Sequence, residues 1–252
     1  MHKAIRYLAP LAVAATPLLF APGMAAADGG DSFQGTLNPL NNSQGSGSAT
    51  ITLNGSSADI TVNFQGLPAQ FMKGPYPHVQ HIHIDGAGRC PTPSADKNAD
   101  GVVNTTEGTP AYGPIGTTLS VKGDTSPKAG TDVKIAPAGS SANYHRTINL
   151  DAKSLASVKS GKAVIVVHGL DPATLSKKAQ GEKSDLVPSL PLAATSPALC
   201  GTLSSMPSGG VATGTGSTSG VEDLGLIGLG GGLVVAGGIA VYAVRRRTAA
   251  NA

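Results

Sequence analysis

Between Pro77 and Cys90 the chain reads PHVQHIHIDGAGRC, with three histidines inside six residues and a cysteine closing the run. Imidazole binds metals and carries protons, so chemistry is sought here first. In an extended strand residues i and i+2 share a face. His81 and His83 therefore stand side by side, and His78 faces away unless the chain bends at Val79-Gln80. Two parallel imidazoles are half of a metal site. His168, at the tip of the apolar run AVIVVH and followed by Gly169, is placed to complete it. The plainer reading is that these are surface positions, since H-x-H on a half-exposed strand arises by chance. Scarcity favours the metal: of the five histidines after His2, four lie in these two places. His145, on YHRTINL, is either a fourth ligand or an ordinary strand residue beside Arg146.

A second metal motif follows. DKNADGVVNTTE, residues 96–107, fits D-x-[DN]-x-[DN]-G-x5-E. Asp96, Asn98 and Asp100 offer side-chain oxygens, Val102 its carbonyl, Asn104 the position often bridged by water, and Glu107 both carboxylate oxygens. Gly101 permits the sharp turn. Calcium is the expected ion, against a solvated turn as the alternative. Pro91, Pro93 and Pro110 flank the motif, so no strong helices are expected beside it. It reads as a lone loop acting as a structural staple. No nucleophile–base arrangement stands elsewhere, which disfavours a hydrolase.

Short β-branched runs punctuated by glycine and proline must position these groups. Strands are expected at residues 49–53, 58–64, 78–84, 117–121, 144–150 and 163–168, with a further one at 32–37. Asn54-Gly55 signals a tight hairpin. A short helix is expected in 151–162, capped by Asp151 and ended by Gly161. The pattern predicts an all-β sandwich or barrel.

The ends carry different information. Lys3 and Arg6, an apolar run and Ala25-Ala26-Ala27 have the layout of a secretory signal peptide, residues 1–27. Residues 224–244 are uncharged and apolar, about 21 residues at ~1.5 Å each, enough to cross a bilayer core. Arg245-Arg246-Arg247 would hold the tail, 245–252, in the cytoplasm. Residues 28–203 form the expected ectodomain and 204–223 a flexible stalk. Val211-Ala212-Thr213-Gly214 loosely resembles the anchoring signals cut by sortases of Gram-positive bacteria. The expected location is the extracytoplasmic face of a bacterial cell membrane, among cell-envelope components. Between Asp28 and Val221 there are 13 basic and 13 acidic residues, so the basic surplus of the whole chain is no nucleic-acid footprint.

Cys90 and Cys200 are the two cysteines, and outside the cytoplasm a disulfide is their natural state. It would close a loop of about 110 residues.

HVQHIH with Asp-Gly and Cys90 after it, VVHG around His168 and ALCG around Cys200 resemble, in this order, the motifs of the copper/zinc superoxide dismutases. ITVNFQGLPA, residues 60–69, is similar to that family's strand and turn before the histidine run. The resemblance implies a Greek-key β-sandwich or barrel, copper held by His81, His83 and His168, a structural His78, and a Cys90–Cys200 disulfide. The chain is similar also to CHRD-type secreted bacterial domains, which need not be enzymes.

It departs from the dismutase pattern in two ways. The family's metal-bridging histidine and other zinc ligands would follow Cys90, where His145 is the one histidine between Ile84 and Val167. The family's arginine, three residues before the final cysteine, is here Pro197. No zinc site is therefore expected, and without the arginine that guides and neutralises superoxide, little or no dismutation. Residues 181–200 resemble the loop that covers the family's copper channel. Asp185 there is either a partner of a ligand histidine or part of a plain surface loop. The expected protein is a membrane-anchored, extracytoplasmic metal-binding β-domain. The alternative is a non-catalytic, calcium-stabilised surface module for structure or adhesion.

Overall fold

The computed structural model describes residues 31–207. These residues are mostly β, with few helices. The strands are β1 (Ser32–Pro39), β2 (Ser46–Asn54), β3 (Ser57–Gln65), β4 (Gln70–Phe71), β5 (Gly74–Pro75), β6 (Gln80–His83), β7 (Ile115–Thr118), β8 (Ser141–Asn149), β9 (Val164–His168), β10 (Pro197–Thr202) and β11 (Ser204–Ser205). The helices are α1 (Thr105–Tyr112), α2 (Ala152–Lys159), α3 (Lys177–Gly181) and α4 (Leu192–Thr195). One antiparallel sheet curls around the core in the order β7-β6-β9-β10-β1-β2-β3-β8, with β11 beside β1. β4 and β5 form a separate small hairpin.

Local chemistry sets these elements. The hairpin expected at Asn54-Gly55 closes where Asn54 pairs with Ser57, and Gly55 takes φ +62° in the two-residue loop. Along β3, Ala58, Ile60, Val62 and Phe64 alternate inward. α2 begins where Asp151 accepts a hydrogen bond from the Ser154 amide.

β9 is buried on both faces. Ile165 and Val167 enter the main core with Ile51, Ile60, Val62 and Leu199. Val164 and Val166 face the other way, against Tyr112, Cys200 and Cys90. The Cys90–Cys200 disulfide is formed. It ties the segment between β6 and β7 to β10.

Three elements depart from expectation. α1 forms despite Pro110 within it, because Asn104 and Glu107 make a reciprocal capping box at its start. The run 181–200 is not one loop: α4 and β10 occupy its second half. β7 lies two to three residues ahead of its expected position. The sheet also continues past residue 203, since β11 pairs with β1 and the Met206 amide donates to Ser32. Among the described residues no helix is long and apolar enough to cross a membrane. The expected signal peptide and membrane span lie outside them.

Candidate metal centre

The strand register builds the centre. β6 pairs antiparallel with β9 so that His81 faces Val166 and His83 faces Val164. His168 lies two residues beyond Val166 on the same face, diagonal to His81. Ile82, on the opposite face, enters the main core. The ring centres of His81 and His83 are 5.5 Å apart, those of His81 and His168 5.1 Å, and those of His83 and His168 6.0 Å. All three side chains are buried, at 2%, 1% and 2% exposure.

Each ring is held by one nitrogen. His81 Nε2 donates to the Gly130 carbonyl at 2.9 Å, His83 Nδ1 to Gly113 at 2.7 Å, and His168 Nδ1 to Thr195 at 2.7 Å. A carbonyl only accepts, so the bonded nitrogen carries the hydrogen and the other keeps its lone pair. Those other nitrogens, His81 Nδ1, His83 Nε2 and His168 Nε2, are buried and have no hydrogen-bond partner. One ligand atom from each ring falls within 4.8 Å of the other two. Three clustered rings thus each keep a buried lone pair, and the backbone fixes each tautomer as in the outer shell of metal-bound histidines.

Burial keeps the rings neutral. His83 is lowered to about 3 and His168 to about 4, chiefly by desolvation, and His81 is held well below its ordinary value for the same reason. A neutral imidazole is the form that binds a metal.

The supports come from three separate segments. Gly113 ends α1 at φ +91°, and a Cβ there would lie 1.8 Å from the Ile84 carbonyl, so only glycine fits. Gly130 follows a 3-10 turn at Pro127–Ala129. Thr195 ends α4, and its carbonyl also accepts the Thr105 hydroxyl at 2.6 Å, joining α1 to α4. Tyr112 packs its ring 4.5 Å from His83. Sequence reasoning missed the three carbonyl supports, since a main-chain acceptor leaves no residue-type signal, and it missed Tyr112 because it did not foresee α1.

His78 stands apart from the trio. Its ring packs on Phe64 and Tyr76, and its nitrogens lie 2.9 Å from the His168 carbonyl and 3.0 Å from that of Pro68. Gly169, at φ +108°, leaves room for it: a Cβ would come 2.7 Å from His78 Nδ1. His145 is exposed on β8, at the opposite edge of the sheet from β7 and β6, and pairs with Asp59 at 3.0 Å. It is an ordinary strand residue. Pro197 is buried on β10, paired with His168 itself.

The Asp96–Glu107 stretch turns as its motif requires. Gly101 takes φ +90° and donates its amide to Asp96 Oδ2 at 2.9 Å. Asp96 Oδ1 is buried without a partner. Glu107, however, spends its oxygens on the amides of Lys97 and Asn104, at 2.8 and 3.0 Å. Among the described residues, the His, Cys, Asp and Glu groups that converge as metal ligands are the three histidines, not these carboxylates. Glu182, unforeseen from sequence, reaches the loop: it accepts from Asn98 Nδ2 at 3.2 Å and sits against Asp100. Desolvation and the neighbouring Asp100 carboxyl raise its pKa.

Asp185 bonds to the first turn of α1 rather than to a candidate ligand histidine. It accepts the Thr106 amide at 2.7 Å, and its charge reaches His168 without a hydrogen bond to it.

No protein-family model matches the chain, and no curated protein matches it.

Proposed function

We propose that this chain is an exported, membrane-anchored copper-binding β-domain of superoxide dismutase-like plan, with weak or no dismutase activity. The observation that carries the reading is a set of three buried imidazoles, one ligand nitrogen of each within 4.8 Å of the other two, and each with one buried nitrogen that has no hydrogen-bond partner. An all-imidazole donor set without thiolate or carboxylate suits copper. His81, His83 and His168 would hold the ion, which supplies a centre able to cycle between two oxidation states. The chain's own part is to keep the rings neutral, oriented and dry. The strand order supports the family resemblance. β6 and β7 lie beyond β9, far from β3 and β8, so the chain crosses over after β3, after β7 and after β8, and long crossings of this kind are compatible with a Greek-key plan. Pro197 in place of the arginine, and the absence of a bridging histidine beside the trio among the described residues, support weak dismutation.

The test is metal analysis of the full chain after copper loading and desalting. One copper per chain is expected, falling to near zero in the His81→Ala, His83→Ala double variant. Superoxide consumption by the loaded protein should not exceed that of the same amount of free copper. Sub-stoichiometric copper in the wild type, or retention in the variant, overturns the reading and leaves a structural surface module.

A second reading concerns the acidic loop. The buried, unpartnered Asp96 oxygen and the closely set Asp100 and Glu182 carboxyls favour a calcium ion there, with Glu182 contributing from outside the motif.

A further inference from the structure

A cavity of about 140 Å³ opens directly over the three histidines. Its walls include Phe71, Ile115, Val133, Leu186, Val187 and Leu190. Threonines contribute to its polar edge, and among the described residues no Lys, Arg, Asp or Glu lines it. Val133 and Leu186 are 45% and 46% exposed, which places them at the mouth. The charged side chain whose field reaches His168 is a carboxylate, Asp185.

This is a poor passage for an anion. A charge leaving water for an apolar wall loses hydration that nothing there replaces. A cation at the mouth would offset that loss and speed entry, and the walls hold none. An uncharged molecule meets no such penalty. An apolar cavity of about 150 Å³ elsewhere stays dry and takes up benzene or xenon, so the volume here is sufficient for such guests.

We infer that the cavity selects an uncharged, small, apolar ligand, from a diatomic gas to a single aromatic ring, and discriminates against small anions. That the ligand meets a metal rests on the copper reading above; that the cavity takes apolar guests does not.

The two claims are tested separately. For the first, methyl resonances of the metal-free full chain are followed under xenon pressure. Shifts concentrated on Ile115, Val133, Leu186, Val187 and Leu190, saturating together, are expected. Shifts spread over the surface, or none, overturn the inference. For the second, the copper-loaded chain is reduced and exposed to carbon monoxide, and in its oxidised form is titrated with azide. A single carbonyl stretching band is expected, with the paramagnetic resonance spectrum of the oxidised form little changed by millimolar azide. Val133→Arg, at the exposed mouth, should tighten azide binding about tenfold and leave the xenon response in place. Tight azide binding by the wild type that Val133→Arg does not improve overturns the anion discrimination. Failure of copper to bind at all sinks the metal reading, and the xenon arm still decides the inference.

Discussion

At the scale of single residues, the three imidazoles differ from surface histidines in having no proton to gain cheaply. Their ordinary value is about 6.5; in the fold His83 stands at about 3 and His168 at about 4, with His81 also well below ordinary. Between pH 4 and 6.5 the unfolded chain therefore binds protons that the folded chain refuses. Stability is complete above about pH 6.5 and falls as the solution is acidified, by up to about 1.4 kcal/mol per pH unit for each ring. Urea midpoints of the metal-free chain at pH 7, 6 and 5 should drop steeply across that window. A flat profile would mean that the rings are wet. At this scale the sequence was partly legible. The two-residue period placed His81 and His83 on one face, and the end of AVIVVH supplied His168. Their carbonyl partners at Gly113, Gly130 and Thr195 were not, because a main-chain oxygen belongs to every residue type.

At the scale of elements, most strands read from alternation held, and so did α2 with its Asp151 cap, while α1, α3, α4 and β10 were not foreseen. α1 contains Pro110 and Gly108, which argue against helix by propensity. Its capping box at Asn104 and Glu107 and its anchor through Tyr112, whose hydroxyl donates to the Thr105 carbonyl at 2.9 Å, outweigh them. β10 begins at Pro197, and a proline-rich stretch hid it. The loop 96–107 gives a prediction of its own kind. With calcium at about ten times a dissociation constant near 0.1 mM, linkage adds about 1.4 kcal/mol, and the melting temperature should rise by about 3–6 °C. The Asp96→Asn variant should lose most of that shift, and Glu182→Gln part of it. Equal melting curves with calcium and with chelator would remove the ion from the account. Lys178, whose ammonium donates to the Asn98 carbonyl, shows a further tie that binds α3 to this loop whether or not an ion is present.

At the scale of the whole molecule, the disulfide and the curled sheet act together. Cys90 and Cys200 are 110 residues apart in sequence, so their bond shortens the unfolded chain's freedom by about 5 kcal/mol in the chain-entropy treatment. The Cys90→Ala, Cys200→Ala variant should lose several kcal/mol in urea unfolding. A loss below about 1 kcal/mol would show that the unfolded state is already compact. The dominance of β structure among the described residues and the pairing of the cysteines could be read from sequence. The strand order could not, because which strands neighbour each other depends on how long crossings close, and period-2 patterns carry no information about that.

The carbonyls that orient the rings sit on the covering segments, not on the strands that bear the rings. The floor of the centre is therefore laid down by β6 and β9, but its lone pairs are aimed only once Gly113, Gly130 and Thr195 have settled overhead. With those segments loosened, the imidazoles would keep their places on the strands and lose the hydrogen bonds that fix their tautomers. Any grip on an ion would then rest on the roof as much as on the floor.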